Sequence, residues 1–338
     1  MNPGYLKYAK VGWNFFRKKT ELPAGRILGV TIEPTNICNL SCIYCPQSDS
    51  ENHFINGKGF MSFDTYREVL DNILSDFNPR FVSLHRDGEP LLHKELERFV
   101  AYTVGKGIRT GTSSNCTLLP PERADTLLEA GLSFIKTDFC ADRGLYEQLR
   151  TGAEWDTAYE GMRAILSKAH ERGVDFRLDI TDLSTHGLPD NIAGANIETL
   201  GSMFGEFGDR VEVMPVHFHN ALGESIGCPV CDCEGEDHHD YFLCHHPWVH
   251  IVVDFMGRVV PCCRDLRSEY ICGSLLEHSM TEIWNNERFT GIRRALVRKR
   301  PEDIELCSKC DLPHHGSYAG GSFATKVRNL FFSKIWER

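Results

Sequence analysis

The chain has 338 residues, of which 41% are hydrophobic and 25% are charged, and its formal net charge is −10 at pH 7. This composition is typical of a globular protein, and the length allows one large domain with a small one beside it. The acidic balance argues against a general nucleic-acid-binding protein, which would present a basic surface. No apolar run is long enough to cross a bilayer, and the first residues have neither the apolar core nor the cleavage site of a secretory signal. We therefore expect a cytoplasmic protein.

Hydrophobic patterning between residues 25 and 220 predicts six strands that alternate with helices. The predicted strands span 27–32, 81–84, 109–113, 133–138, 174–180 and 211–216, and the predicted helices span 64–74, 95–104, 122–130, 155–172 and 192–207. Such alternation predicts a parallel sheet with covering helices, and six units are too few for a closed eight-stranded barrel. The predicted fold is therefore α/β, a partial (β/α)6 barrel over residues 25–220, with its site at the carboxyl ends of the strands.

The rest of the chain divides into four segments of different character. They are a basic, aromatic segment at 1–24, a loop rich in Cys and His at 221–243, a small domain at 244–315 and a basic, aromatic tail at 316–338. In the small domain, a glycine turn predicts a hairpin of strands 249–254 and 258–261, and a helix is predicted at 280–297. We expect both basic, aromatic ends to pack on the barrel exterior, with a weak contact to a membrane surface as the alternative.

Cysteine usage points to metal or redox chemistry. The chain has 14 cysteines, and Cys38, Cys42 and Cys45 directly follow the first predicted strand. Three thiolates in so short a stretch can hold a four-iron cluster and leave one iron open for a small molecule. The alternatives are a zinc knuckle, which would need a fourth ligand such as His53, or buried free thiols.

The Cys-x3-Cys-x2-Cys spacing, with an aromatic residue before the third cysteine, resembles the signature of the radical S-adenosylmethionine (SAM) superfamily. Asp87-Gly88-Glu89-Pro90 follows the second predicted strand and is similar to the family's Gly-Gly-Glu-Pro segment, with Asp87 in place of the first glycine. The resemblance implies that SAM chelates the open iron, that Tyr44 lies near its adenine, and that Asp87, Gly88, Glu89 and Pro90 bind its amine. It also implies that a flavodoxin or ferredoxin-type protein supplies an electron that cleaves SAM to a 5′-deoxyadenosyl radical.

Three further residues are candidate SAM contacts under the same resemblance. Asn115 lies in a turn after the third strand that is similar to the family's Thr-Asn-Gly turn, and Asp138 closes the fourth strand, where the family places a ribose contact. Arg177 on the fifth strand either meets the SAM carboxylate or forms a surface ion pair.

A second set of cysteines, Cys244, Cys262, Cys307 and Cys310, lies in a stretch that resembles the SPASM/twitch auxiliary-cluster domain over about residues 244–312. The hairpin brings the first two cysteines together, and the following helix returns the other two to the same place. Four thiolates would close the coordination sphere of a second 4Fe-4S cluster, which then binds no SAM. No cysteine follows Cys310, so we expect the single-cluster twitch form; the alternative is a structural zinc site.

The remaining cysteines allow several interpretations. For Cys228, Cys231 and Cys233 the sequence allows five interpretations: a zinc site, a third cluster, part of a substrate lid, a disulfide, or free thiols without a function. Cys263 points away from its neighbour Cys262 on the strand, so we expect it either in the core, which we favour, or facing the substrate as a hydrogen donor.

The resemblance implies abstraction of a hydrogen atom from a carbon of the substrate. Few residues precede the first strand, too few for a peptide-binding domain, which favours a small polar substrate of the sugar or aminocyclitol type. His217 and His219, at the end of the sixth strand, are candidate catalytic residues. We favour oxidation through the auxiliary cluster; the alternatives are a carbohydrate epimerase with a Cys hydrogen donor, a peptide-modifying maturase, and a non-enzymatic zinc-binding interaction protein.

Overall fold

The computed structural model describes residues 9–48, 53–186, 188, 190–216, 241–310 and 312. Five residues singled out from the sequence lie outside the described part of the chain: His217, His219, Cys228, Cys231 and Cys233. The tail at 316–338 and most of the loop at 221–243 also lie outside it.

Nine strands in the described residues form one sheet. They are β1 (Gly25–Ile32), β2 (Phe77–Ser83), β3 (Arg109–Ser113), β4 (Phe134–Phe139), β5 (Arg177–Asp182), β6 (Val211–Pro215), β7 (His250–Val253), β8 (Arg258–Val260) and β9 (Gly273–Ser274). Their order is β6-β5-β4-β3-β2-β1-β7-β8-β9. The first six strands pair in parallel with their sequence neighbours, which confirms the predicted α/β class and the six-stranded partial barrel.

Seven helices accompany the barrel strands in the described residues. They are α1 (Ala9–Phe16), α2 (Phe63–Asp76), α3 (Leu96–Gly105), α4 (Pro121–Glu129), α5 (Arg143–Leu149), α6 (Trp155–Glu171) and α7 (Asp190–Ser202). Their start signals are local. For α2, the Ser62 hydroxyl accepts a hydrogen bond from the Thr65 N–H at 3.0 Å, and an apolar face that includes Tyr66 and Ile73 then packs into the core. Helix α5 was absent from the sequence prediction.

Four short or medium helices follow the barrel: α8 (His246–Val249), α9 (Met280–Trp284), α10 (Glu287–Val297) and α11 (Glu305–Ser308). The single helix predicted at 280–297 is therefore two. The Asn286 side chain accepts from the Phe289 N–H at 3.0 Å and starts α10, while Asn285 donates to the Leu22 carbonyl at 2.9 Å. Asparagine favours such capping positions over a helix interior, which explains the break.

The C-terminal hairpin continues the barrel sheet. Strand β7 pairs in parallel with β1, with Gly29 opposite His250, and β8 then pairs antiparallel with β7. The Asp254 carboxylate accepts from the Met256 and Arg258 N–H groups at 3.0 and 2.9 Å and so shapes the hairpin turn. The hairpin of the predicted small domain at 244–315 thus belongs to the same sheet as the barrel, and Cys262 follows its second strand.

The described part of the N-terminal segment packs on the barrel. In α1, Val11 and Phe15 are buried, and the Phe15 ring meets Trp248 edge-on at a centroid distance of 5.7 Å. Trp13, on the other side of α1, is 59% exposed. Among the described residues, no helix is both long enough and apolar enough to span a membrane.

Large aromatic side chains close the amino end of the barrel interior. A Cβ at Gly29 would lie 2.4 Å from the Phe81 ring and 2.7 Å from His250, and a Cβ at Gly111 would lie 2.4 Å from the Phe134 ring. These two glycines therefore make room for the rings, and the Phe81 and Phe134 rings meet edge-on at 6.1 Å.

Candidate active site

Cys38, Cys42 and Cys45 lie in the loop that follows β1, at the carboxyl edge of the sheet. This loop is fixed to the segment after α5, because the Ser41 N–H donates to the Thr151 carbonyl at 2.9 Å and the Ile43 N–H to the Leu149 carbonyl at 3.0 Å. All three thiols are buried or half-buried and none forms a disulfide. Three soft sulfur donors in one anchored loop fit three of the four irons of a cubane cluster.

The zinc-knuckle alternative loses its fourth ligand in the structure. The only histidine near this loop in sequence, His53, binds the Asp87 carboxylate through its Nε2 atom, and both side chains are almost fully buried. The His53 ring is therefore turned to Asp87. Three thiols alone do not complete the tetrahedral sphere of a structural zinc site.

Gly88 allows the loop after β2 to pack directly on the cysteine loop. A Cβ at this position would lie 2.4 Å from the Thr35 carbonyl oxygen and 2.6 Å from the Ile37 carbonyl oxygen. The next residue, Glu89, donates its N–H to the same Ile37 carbonyl at 2.8 Å. The Asp-Gly-Glu-Pro turn thus lies against the backbone that immediately precedes Cys38, which is where the sequence resemblance expects it.

Glu89 connects two turns of the site. Its carboxylate accepts from the Leu91 N–H at 2.9 Å, the Ser114 hydroxyl at 2.8 Å and the Asn115 N–H at 2.7 Å. Burial raises the pKa of Glu89, and these hydrogen bonds oppose that rise. Both carboxylate oxygens are used, so Glu89 holds the turns after β2 and β3 together, and Pro90 begins a short 3-10 turn behind it.

Asp87 has a buried partner in the structure. One oxygen of its carboxylate binds the His53 Nε2 atom. Its carbonyl oxygen accepts from the Gln47 Nε2 atom at 2.9 Å, and the same Gln47 nitrogen donates to the Asn36 carbonyl. Asp87 therefore fixes the loop that carries His53, and its contact with the SAM amine stays a prediction.

Asn115 lies beside the first cysteine. Its side-chain nitrogen donates to Asn39 Oδ1 at 2.9 Å and is 4.0 Å from Cys38 Sγ. The following residue, Cys116, has φ of +60° and is fully buried. The resemblance places a glycine there, and glycine is the residue that adopts this left-handed conformation most readily.

The sequence reasoning missed Arg150, which ends α5. Its Nη1 atom donates to the Asp138 carbonyl at 2.6 Å and lies 3.8 Å from the Asp138 carboxylate. Burial raises the pKa of Cys42 and of Tyr44, and the positive charge of Arg150 partly opposes that rise. A buried guanidinium beside a cysteine ligand would balance the negative charge of a thiolate-bound cluster. Tyr44, Cys42 and Asp138 thus meet around one cation.

Arg177 is not part of this site, and the prediction that it meets the SAM carboxylate is wrong. It is the first residue of β5, opposite Phe134 at the start of β4. That position is at the amino end of the strands, whereas the cysteine loop follows the carboxyl end of β1. There Arg177 forms ion pairs with Asp179 and Glu212.

The second set of cysteines encloses one cavity of about 30 Å³, lined by Cys244, Cys262, Cys307 and Cys310. Cys244 precedes α8, Cys262 follows β8, and the last two lie in and just after α11. The remaining lining is largely apolar: Pro247, Pro261, Ile292, Leu296, Leu306 and Leu312, with His246 and Arg264. Four sulfur donors in an apolar shell suit an iron–sulfur cluster.

In the described residues, no three Cys, His, Asp or Glu side chains converge closely enough to hold a single metal ion.

Cys263 lies outside the hydrophobic core. Its side chain is half-buried. Burial raises the pKa of the thiol, and the positive charges of Arg264 and Arg86 oppose that rise. It also lies close enough to Lys136, on the inner face of β4, to influence the pKa of that amine. The favoured expectation that Cys263 packs in the core is wrong, and its thiol is near polar groups of the barrel.

Polar side chains line the barrel interior beside the rings of Phe81 and Phe134, and the sequence reasoning missed them. Ser83 Oγ and His85 Nδ1 are 2.8 Å apart, and Thr31 Oγ1 and His250 Nε2 are 2.9 Å apart. Burial lowers the pKa of His85 to about 4 and of His250 to about 3, so both imidazoles are neutral at pH 7. Lys136 lies near both histidines and its pKa is also lowered by burial.

Two family models match the chain. The model of the radical SAM superfamily matches residues 32–183, and the SPASM model, an iron–sulfur cluster-binding domain, matches residues 244–311. The chain belongs to the radical SAM superfamily and is a radical SAM enzyme. More particularly, it is one with a SPASM-type domain at its C-terminal side. Its cofactors are therefore SAM, a 4Fe-4S cluster and auxiliary iron–sulfur binding in the SPASM segment. The alternative of a non-enzymatic zinc-binding protein is thereby removed.

One relative matches most of this chain and another matches less than half of it. An S-adenosyl-L-methionine-dependent 2-deoxy-scyllo-inosamine dehydrogenase of Niallia circulans is 26% identical over 293 residues, which are 83% of this chain and 92% of that enzyme. An Fe-coproporphyrin III synthase of Methanosarcina barkeri is 30% identical, but the match covers only 43% of this chain and 35% of the synthase.

Solved structures support the same fold. The structure of BtrN in complex with AdoMet and 2-DOIA superposes with a TM-score of 0.57 at 23% identity, over 84% of this chain and 93% of BtrN. SuiB of Streptococcus suis bound to its precursor peptide SuiA superposes with a TM-score of 0.52 at 14% identity, over 95% of this chain and 76% of SuiB. At these identities the likeness shows the fold alone.

Proposed function

We propose that this chain is a radical SAM oxidoreductase that oxidises a hydroxyl-bearing carbon of a small polar substrate of the sugar or aminocyclitol type. Cys38, Cys42 and Cys45 hold the cluster that binds SAM, and Cys244, Cys262, Cys307 and Cys310 hold one auxiliary 4Fe-4S cluster. When bound, SAM and its cluster supply the radical that removes a hydrogen atom from the substrate. A flavodoxin or ferredoxin-type protein supplies the electron that starts the reaction.

The similarity to the 2-deoxy-scyllo-inosamine dehydrogenase carries this proposal. The alignment covers 83% of this chain and 92% of the dehydrogenase. The match to the porphyrin-modifying enzyme covers less than half of either chain. A near full-length match favours a related reaction over one shared only through the barrel.

The barrel interior supports a hydroxylated substrate. His85 and His250 are held by the hydroxyls of Ser83 and Thr31, and both imidazoles are neutral because burial lowers their pKa. Neutral imidazoles both donate and accept hydrogen bonds, as substrate hydroxyls do. Lys136, which lies near both histidines, is a candidate hydrogen-bond donor to a substrate hydroxyl, and burial lowers its pKa.

Within this site each proposed SAM contact has a separate task. Gly88 and Pro90 shape the turn that presents backbone acceptors to the SAM amine, and Glu89 and Asn115 hold that turn against the loop of Cys38. Tyr44 lies toward the adenine, and Asp138 offers its carboxylate to the ribose.

A second candidate function is epimerisation, and the position of Cys263 favours it over the remaining alternatives. A half-buried thiol near Lys136 and outside the core could return a hydrogen atom to the opposite face of the substrate radical. For a peptide-modifying function we find no equivalent residue in the described part of the chain.

Turnover of 2-deoxy-scyllo-inosamine in deuterated water distinguishes these functions. We expect the holoenzyme, with SAM and a reductant, to form a product two mass units lighter that carries no solvent deuterium on the reacting carbon. Epimerisation would instead give a product with one deuterium gained at carbon. If that deuterium appeared, and if Cys263→Ala stopped product formation while 5′-deoxyadenosine was still released, the oxidation proposal would be abandoned.

A further inference from the structure

Arg264 brings a permanent positive charge to the cavity enclosed by the second cysteine set. It follows Cys262 and Cys263 in the chain, is only 7% exposed, and donates from Nη1 to Cys310 Sγ at 3.6 Å. It lines the same cavity as the four cysteines, whose other walls are largely prolines, isoleucine and leucines. An arginine side chain stays protonated even when it is buried, so this charge does not depend on pH.

The backbone beside Arg264 is fixed from the SAM side of the molecule. Arg86, which directly precedes the Asp-Gly-Glu-Pro turn, donates to the carbonyls of Asp265 and Leu266 at 3.0 and 3.1 Å. Its Nε atom also pairs with the Glu33 carboxylate at 3.0 Å, with both side chains almost fully buried. The segment that carries Arg264 is therefore held in place, and the guanidinium keeps its position at the cluster cavity.

A donor at a cluster sulfur changes the redox behaviour of a cluster. Reduction adds negative charge to the irons and sulfurs, so an N–H group and a positive charge stabilise the reduced state more than the oxidised state. The effect is larger in an apolar shell than in water because the local dielectric constant is low. A positively charged donor on Cys310 therefore raises the reduction potential of the cluster and makes it a better electron acceptor.

We propose that Arg264 sets the reduction potential of the auxiliary cluster through its hydrogen bond to Cys310, so that the cluster can accept the electron released when the substrate is oxidised. The inference rests on the proposed ligand set and on the oxidative function proposed above. In the oxidation, the substrate carbon loses one hydrogen atom to the deoxyadenosyl radical. Its hydroxyl then loses a proton to a base, and one electron passes to the auxiliary cluster as the C=O bond forms.

The test is a redox titration of reconstituted full-length protein, followed by EPR of the reduced auxiliary cluster, without substrate. We expect Arg264→Gln to lower the ratio of reduced to oxidised cluster, at a fixed solution potential, about tenfold or more, which for a one-electron couple corresponds to a shift of about 59 mV to more negative potential. Arg264→Lys keeps the charge but loses the planar fork, so a smaller shift in the same direction is expected. Arg294→Gln is the matched control, because Arg294 pairs with Glu287 on the exposed side of α10.

The outcomes are separable. An assembled cluster with unchanged potential in Arg264→Gln, or the same shift in Arg294→Gln, would overturn the role of Arg264. If Arg264→Gln does not retain its iron, Arg264→Lys decides, and an unchanged potential there would overturn the proposal too. Loss of the cluster in both variants would assign Arg264 to cluster assembly and also overturn it. Absence of an auxiliary cluster in the unaltered protein would instead contradict the proposed function.

Discussion

Replacing Cys38, Cys42 and Cys45 together with alanine is expected to abolish SAM cleavage and to remove about half of the bound iron, since one of two cubanes is lost. The three thiols lie in one loop after β1, with Asn115 and the Gly88 turn packed against it. The second cysteine set is built from other elements, so the auxiliary cluster should remain. Release of 5′-deoxyadenosine, the iron content and the EPR signal of the auxiliary cluster measure the three parts of this expectation.

The matched control removes three other cysteines. Cys116, Cys140 and Cys272 are all buried and belong to neither proposed ligand set. Their triple alanine variant should keep the full iron content and cleave SAM, with only the modest loss of stability that small core truncations cause. SAM cleavage that persisted in the first variant, or iron lost equally in both, would show that the ligand assignment is wrong.

Replacing Arg86 with methionine is expected to destabilise the protein by about 3–5 kcal/mol, because it leaves the Glu33 carboxylate buried without its partner. Both side chains are almost fully buried, and the other Glu33 oxygen accepts from the Phe255 N–H at 3.1 Å. The variant also frees the carbonyls of Asp265 and Leu266 near the second cysteine set. The thermal unfolding midpoint of the reconstituted protein should fall by on the order of 6–10 °C.

The loss of stability in the Arg86→Met variant should depend on pH. Burial raises the pKa of Glu33 to about 7, above its ordinary value, and Arg86 opposes that rise. A carboxyl whose pKa is raised in the folded state destabilises the fold at pH above that pKa and ceases to do so as it takes up a proton at lower pH. Removal of Arg86 raises this pKa further, so the variant should lose less at pH 5 than at pH 8.

Two variants check this explanation. In the double variant Glu33→Gln with Arg86→Met, the loss should be smaller than in Arg86→Met alone, because no buried charge remains. Arg172→Met removes an arginine whose ion pairs with Asp125 and Glu129 are exposed, and it should leave the midpoint nearly unchanged. Equal losses in Arg86→Met and Arg172→Met, or no dependence on pH, would contradict the role of the buried pair.

The barrel and both cysteine sets could be predicted from the sequence because their signals are local. Strands and helices alternate with their own periods, the first cysteine motif is confined to the segment from Cys38 to Cys45, and the second set is indicated by the residues that flank each of its cysteines. The turn at Gly88 could be predicted for the same reason, since its glycine is required by a close backbone approach. These features need no knowledge of which distant segments meet.

The parts that could not be predicted depend on distant contacts or on the bounds of elements. The predicted strand 174–180 put Arg177 mid-strand, whereas β5 begins at Arg177 and places it at the amino edge. Asp87 binds His53 across the intervening helix and strand, which no local pattern indicates. Arg150 was missed because α5, which it ends, is short and was absent from the prediction.

The pairing of β7 with β1 is also a long-range contact, and it decides how the two cysteine sets are arranged. The hairpin signal at Asp254 and Gly257 is local, but the sequence does not indicate which strand of the barrel it extends. The same pairing brings His250 beside Gly29 and so into the barrel interior. A histidine in a short strand has no sequence signal for this position.

The most direct test of the whole account is the metal content and SAM chemistry of anaerobically purified, reconstituted protein. The account predicts about eight irons per chain, from two cubane clusters, and release of methionine and 5′-deoxyadenosine when SAM and a reductant are added. Protein that contains zinc and no iron, or iron-loaded protein that leaves SAM intact under reducing conditions, would contradict it.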